Sequence, residues 1–276
     1  MAIRQLLLLI IAVLIATAVW AKESPKLNPQ TFIERSDQLY FLPHLHGVTD
    51  LAVDVVMDQF AKDPVIGKAQ ITICYAGGDR RGVVIANIPP QQEKFRTALL
   101  AMVDPLGEYV VPKSSIETFA DMQIRAYKVY RQISGLPGTT FYELTGTPTD
   151  EKSPLQEYRV LVDERGLAYQ VETKAKDGNG VTARIENVRI GDHWFIGKIS
   201  TRILSKSGPH WEIATVTYGD ANGYTLPLAI TIQHRNSFNQ PIKELPDLAY
   251  RFDNYRINTG AAAALLPEPA TPAPTE

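Results

Sequence analysis

A chain of 276 residues with 45% apolar and 21% charged side chains has the make-up of an ordinary globular protein, long enough for one large domain or two small ones. Its formal net charge of −2 lacks the basic surplus through which nucleic-acid binders release counterions, so no nucleic-acid partner is expected. A lone cysteine, Cys74, excludes an intramolecular disulfide and leaves the fold to its core.

At the N-terminus Arg4 precedes an uncharged, mostly apolar run from Leu6 to Trp20, closed by Val19-Trp20-Ala21 before Lys22-Glu23. That is the layout of a cleavable signal peptide over residues 1–21, and the run is shorter than the roughly 20 residues needed to span a bilayer. Cys74 lies far from the cut, so no lipid-accepting cysteine follows it. The expectation is a periplasmic or secreted protein with no permanent membrane anchor.

From Asn28 to Phe41 the spacing predicts a helix, with Asn28 as cap and Pro29 at its first position. Leu42-Pro43-His44-Leu45-His46-Gly47 breaks it. His44 and His46 form the one close histidine pair; on an extended segment they would share a side, but no third ligand is evident and no metal is expected. Three strands follow around Leu51–Met57, Lys68–Tyr75 and Gly82–Ile88, and Val83-Val84-Ile85-Ala86, apolar on both faces, reads as central in a sheet. Within the second of these, Cys74 alternates with Thr72 as a half-buried structural residue with no histidine or cysteine beside it to activate a thiol. Pro89-Pro90 opens a second helix over Gln91–Val103, with Phe95, Leu99 and Met102 at helical spacing. Its apolar stripe either docks on the sheet or serves as a lid over a ligand. Gly107–Asp121 has no clear period, and further strands are indicated at Ile124–Arg131 and Thr139–Gly146.

Beyond Pro154 the chain becomes an antiparallel meander. Tyr158–Val162, Leu167–Glu172, Phe195–Ile203 and Leu226–Gln233 alternate apolar and polar residues with the period of a sheet buried on one face. Turns rich in Asp, Asn and Gly separate them at near-regular intervals, including Asp163-Glu164-Arg165-Gly166, Asp177-Gly178-Asn179-Gly180 and Asp220-Ala221-Asn222-Gly223. The pattern predicts a mainly β (α+β) protein, a single domain over residues 25–258 built on one curved antiparallel sheet. Residues 259–276, four alanines followed by a Pro/Thr/Glu-rich stretch, read as a disordered tail.

The motifs G-x-S-x-G, H-E-x-x-H, G-x-x-x-x-G-K-[ST] and G-x-G-x-x-G do not occur. Glu157, Glu172 and Glu212 stand opposite apolar positions, as a solvated sheet face requires, so no paired acid and base and no cofactor is expected. The broad apolar face is the notable surface. Tyr158, Val160, Tyr169, Val171, Phe195, Ile199, Leu228 and Ile230 belong to it and are the candidate ligand-binding residues. Either two helices fill that face as a plain core, or the curve leaves a cavity of the kind that takes acyl chains.

Tyr158-Arg159-Val160-Leu161-Val162-Asp163-Glu164-Arg165-Gly166-Leu167-Ala168-Tyr169-Gln170-Val171, then Asp177-Gly178, Ile185-Glu186-Asn187-Val188, Trp194-Phe195-Ile196, Tyr218-Gly219-Asp220, Leu226-Pro227 and Phe252-Asp253-Asn254-Tyr255-Arg256, resemble the outer-membrane lipoprotein-sorting proteins of the LolA/LolB-like superfamily. The match is best over residues 155–257. The resemblance implies an incomplete β-barrel covered by helices, a hydrophobic cavity for acyl chains, and a non-enzymatic carrier with a lipid ligand and an envelope protein partner. Two rivals stand beside it: a structural or regulatory envelope module whose sheet face is filled core, and a hydrolase using an Asp/His site near His44 and His46.

Overall fold

The computed structural model describes residues 27–130, 140–205 and 208–267; the expected signal peptide lies outside them. Twelve strands form one antiparallel sheet: β1 Leu51–Val56, β2 Gln70–Tyr75, β3 Arg81–Ala86, β4 Met122–Tyr130, β5 Thr140–Pro148, β6 Leu155–Asp163, β7 Ala168–Ala175, β8 Gly180–Ile190, β9 His193–Ser205, β10 Gly208–Ala221, β11 Tyr224–Asn236 and β12 Leu248–Ile257. Their spatial order is β3-β2-β1-β12-β11-β10-β9-β8-β7-β6-β5-β4. Every step from β4 to β12 is a hairpin neighbour; a single closure, β1 on β12, carries the N-terminal strands onto the meander's end. The two ends, β3 and β4, do not pair, so the barrel is incomplete.

Helices cover the concave side: α1 Pro29–Leu39, α2 Glu93–Val103, α3 Gly107–Val110 and α4 Ser115–Phe119. Asn28 caps α1 by accepting from the Gln30 N–H at 3.0 Å, with proline next to it as the sequence indicates. Phe32 and Ile33 are the buried side of α1, each worth about 1.5–3 kcal/mol against exposure. The β6–β7 turn fits against the same helix. Gly166, at φ +105°, lies where a Cβ would come within 2.9 Å of the Ser36 nitrogen, and Arg35 donates to the Glu164 carbonyl at 3.1 Å. The Gly107–Asp121 stretch, without a clear period, resolves into α3 and α4, and a capping box at Ser114 and Glu117 starts α4.

Two expectations are corrected. The β3 strand is an edge, not a central strand: its Val83 and Ile85 pack into the concave core while Val84 packs on the opposite side with Ala52, Cys74 and Ala262. Both faces are covered, which is why both are apolar. The covering element on that second side is a fifth helix, α5 Ala261–Leu265, inside the stretch expected to be a structureless tail. Asp50 accepts from the Ala262 and Ala263 N–H groups at 3.4 and 3.0 Å, and Ala262 is fully buried.

The interior divides in two. One cluster joins β1–β3 to β10–β12 beneath α2 and α3 and includes Leu51, Val53, Leu226, Ile230 and Tyr250. The other joins α1 and α4 to β5–β7 through Phe32, Ile33, Phe119, Leu144, Val160 and Val162.

Candidate functional site: a cavity between two cores

A cavity of about 200 Å³ lies at the seam of these clusters. Its sheet wall comes from Leu144 on β5, Tyr158, Val160 and Val162 on β6, Ala168 and Val171 on β7, and Trp194 and Phe195 on β9. Its roof is α1 with the turn after it, plus α3 and α4. Apolar side chains dominate the lining, and Glu108 and Lys113 sit exposed at its mouth.

The roof is tied down by specific bonds. Asp37, near the end of α1, accepts from the Ser115 and Ile116 N–H groups at 2.5 and 3.2 Å, joining α1 to the start of α4. At the far end of α1 the Tyr40 hydroxyl donates to Asn187 at 2.7 Å and accepts from the Ala168 N–H at 3.1 Å, while the Asn187 amide returns to the Ala168 carbonyl at 2.7 Å. Burial pushes the Tyr40 hydroxyl well above the ordinary phenol range. Tyr40 itself forms an isolated parallel β-bridge with Trp194, and the next N–H, that of Phe41, donates to the Trp194 carbonyl at 3.1 Å. Below the roof, the Tyr218 hydroxyl donates to the Ile196 carbonyl at 3.0 Å. Tyr158 and Tyr109 line the cavity with hydroxyls that have no hydrogen-bond partner among the described residues; burial raises each to about 12. These are neutral donors available to a ligand oxygen.

The eight candidate residues do not form one wall. Tyr158, Val160, Val171 and Phe195 line the cavity. Tyr169, Ile199, Leu228 and Ile230 do not. Two of those displacements come from β-bulges, which reset the alternation by one residue. The β6–β7 register skips Tyr169, so Ala168 takes the inward place opposite Val162, and the Tyr169 ring packs on Phe141 beside Asp163. The β10–β11 register skips Leu228, which is 38% exposed and drapes over Gly219. Ile199 is different: it pairs with Ile185, which does line the cavity, and with Ala214, but its own side chain lies beyond the lining. Ile230 is fully buried in the neighbouring cluster, a filled core.

Alternation in the strands gave no hint of the roof residues Tyr40, Phe41, Tyr109 and Phe119. The one available signal was the apolar and aromatic content of the turn after α1. His44 and His46 lie in a 3₁₀ turn, Pro43–His46, instead of an extended segment. His44 approaches Glu117 at 3.5 Å, and His46 stacks on Phe41. Burial lowers the His44 pKa below 6.5, against the pull of Glu117 and Asp37 and with the help of Arg81. Among the described residues no three metal-ligating groups converge. Cys74 is 1% exposed, and burial raises its thiol to about 11.

No family model and no curated protein matches the sequence. Two solved structures are similar to this chain over most of its length. One, described as an outer membrane lipoprotein-sorting protein domain from Vibrio parahaemolyticus, is 12% identical over 84% of this chain and 94% of its own, with a TM-score of 0.35. The other, a DUF1329 family protein from Desulfovibrio piger, is 10% identical over 83% of this chain and 92% of its own, with a TM-score of 0.34. Overlays this loose carry no functional weight, and what the molecule offers a ligand rests on its own lining residues.

Proposed function

We propose that the protein is an exported, non-catalytic binder of acyl chains that shelters a lipid tail in the cavity beneath α1, α3 and α4 and passes it between envelope components. The observation that carries this reading is the gap between two well-filled cores, walled by apolar side chains and opening at a charged mouth. The leader-like residues 1–21 supply the route of export, and among the described residues no helix is long and apolar enough to cross a membrane.

Volume sets the stoichiometry. A dry cavity of roughly 150 Å³ holds one benzene, so about 200 Å³ takes a chain segment of about eight carbons by the same proportion. At about 0.8 kcal/mol per methylene that segment contributes about 6 kcal/mol, short of the roughly 8 kcal/mol of micromolar binding even before ordering costs. A longer tail must therefore displace part of the roof, and α1 with α4, joined through Asp37, is the piece that moves.

The test is equilibrium titration of delipidated, refolded protein with a fluorescent fatty acid. Saturable binding at one site, reversed by an unlabelled acyl chain, is expected. A folded protein that gives no saturable signal would remove the carrier reading and leave a filled-core interaction module.

A further inference from the structure

Beside the apolar cavity lies a second, more polar cleft of about 290 Å³ between β2, β3 and α3, and the two share Glu108 and Lys113 at their junction. Its floor is apolar, from Ile73, Val83 and Val111. Its rim carries five charges: Asp79, Arg81, Asp104, Glu108 and Lys113. Arg81 is already committed, donating to the Val111 carbonyl at 2.8 Å and to Glu117 at 3.3 Å while lying over the Tyr75 ring. The side chains of Asp79, Asp104, Glu108 and Lys113 are exposed and have no partner among the described residues. One uncommitted cation and three uncommitted carboxylates thus surround a recess that shares two lining residues, Glu108 and Lys113, with the apolar cavity.

From this adjacency we infer that the cleft is a headgroup subsite for a single-chain lipid whose head carries both a phosphate and an amine. This rests on the acyl-binding reading above. With the tail in the cavity, the phosphate meets Lys113 at the junction and the ammonium lies among Asp79, Asp104 and Glu108. A head with only a carboxylate would meet a surplus of negative charge. One with only an ammonium would leave Lys113 unmatched at the point where the head must pass. The small cavity next door selects one chain over two.

The experiment compares lipids of matched chain length at low salt, where exposed charges are least screened: a lysophosphatidylethanolamine, a fatty acid and a neutral alkyl glucoside, each displacing the fluorescent acyl probe. The zwitterionic lipid is expected to bind about tenfold more tightly than the glucoside, and the fatty acid least tightly. Asp79→Asn combined with Asp104→Asn, two exposed changes in the cleft alone, should lower the zwitterion-to-glucoside ratio about fivefold with an unaltered melting curve. Lys113→Gln should lower the same ratio by a similar factor. Equal affinities for all three heads, or a ratio unmoved by these variants, would overturn the headgroup subsite while leaving acyl binding intact. Failure of every lipid, glucoside included, to displace the probe or bind would instead strike the acyl-binding reading itself.

Discussion

Enlarging one side chain should have opposite effects on the two sides of the seam. Val171 on β7 is half-buried and faces the cavity, whereas Ile230 on β11 is fully buried in the filled cluster around Leu51, Leu226 and Tyr250. Phenylalanine is a good strand former, so Val171→Phe and Ile230→Phe both ask the same question of packing. At Val171 the ring extends into void: with residual cavity costing about 24 cal/mol per Å³, each ~40 Å³ filled returns about 1 kcal/mol. At Ile230 no void receives it, and overpacking costs roughly 1–3 kcal/mol. Chemical denaturation of both variants, read by circular dichroism, should therefore show the cavity variant unchanged or more stable by about 1 kcal/mol and the core variant less stable. Fluorescent acyl-probe binding should fall at least tenfold for Val171→Phe, because the ring occupies the space the chain needs, and persist in the folded fraction of Ile230→Phe. Equal destabilisation of the two, with probe affinity untouched by Val171→Phe, would show that the seam holds no usable cavity.

Other consequences follow from the bonds around that seam. Asp37→Ala strips two acceptor contacts from the first turn of α4 and should cost about 1–2 kcal/mol while speeding release of a bound acyl probe in stopped flow; an unchanged release rate would mean that α1 and α4 do not open together. Truncation after Gly260 removes α5 from Ala52 and Cys74, so the thiol, held near 11 by burial, should become reactive toward a disulfide reagent at neutral pH, with a stability loss of about 1–2 kcal/mol. A thiol still shielded in the truncated chain would show that α5 adds no cover. His44 has its pKa lowered in the fold, so protonation favours the unfolded chain: its contribution is fully present above about pH 6.5 and is lost as pH falls from there through its lower folded pKa. Replacing it as His44→Gln should flatten the stability profile between pH 7 and 5, and a slope identical to wild type would contradict the burial argument.

Much of the architecture was legible in the chain. The meander announced itself through period-two strands and Gly/Asn turns, and Asn28-Pro29 marked the start of α1. Three features were hidden for physical reasons. A β-bulge is a one-residue change of register set by pairing with a neighbour, so nothing in β7 or β11 alone announced that Tyr169 and Leu228 would leave the wall. An edge strand covered on both faces has the same composition as a central one, which disguised β3. The run of alanines carries too little side chain to signal packing, yet small residues are what let α5 lie close against Ala52, with Asp50, two hundred residues away in the chain, holding its first turn. The roof depended on tertiary contacts of short helices and aromatic residues that follow no period.

The most direct test of the cavity uses Trp194, which lines it, in a variant where Trp211 is replaced by Phe, and with residues 1–21, which include Trp20, removed. A fatty acid brominated along its chain quenches indole fluorescence only at close contact. Saturable quenching of Trp194, relieved by an unbrominated chain and weakened by Val171→Phe, is the result predicted. Acyl binding that leaves Trp194 unquenched, or a folded protein that binds no brominated chain, would contradict the claim that lipid tails occupy the seam between the two cores.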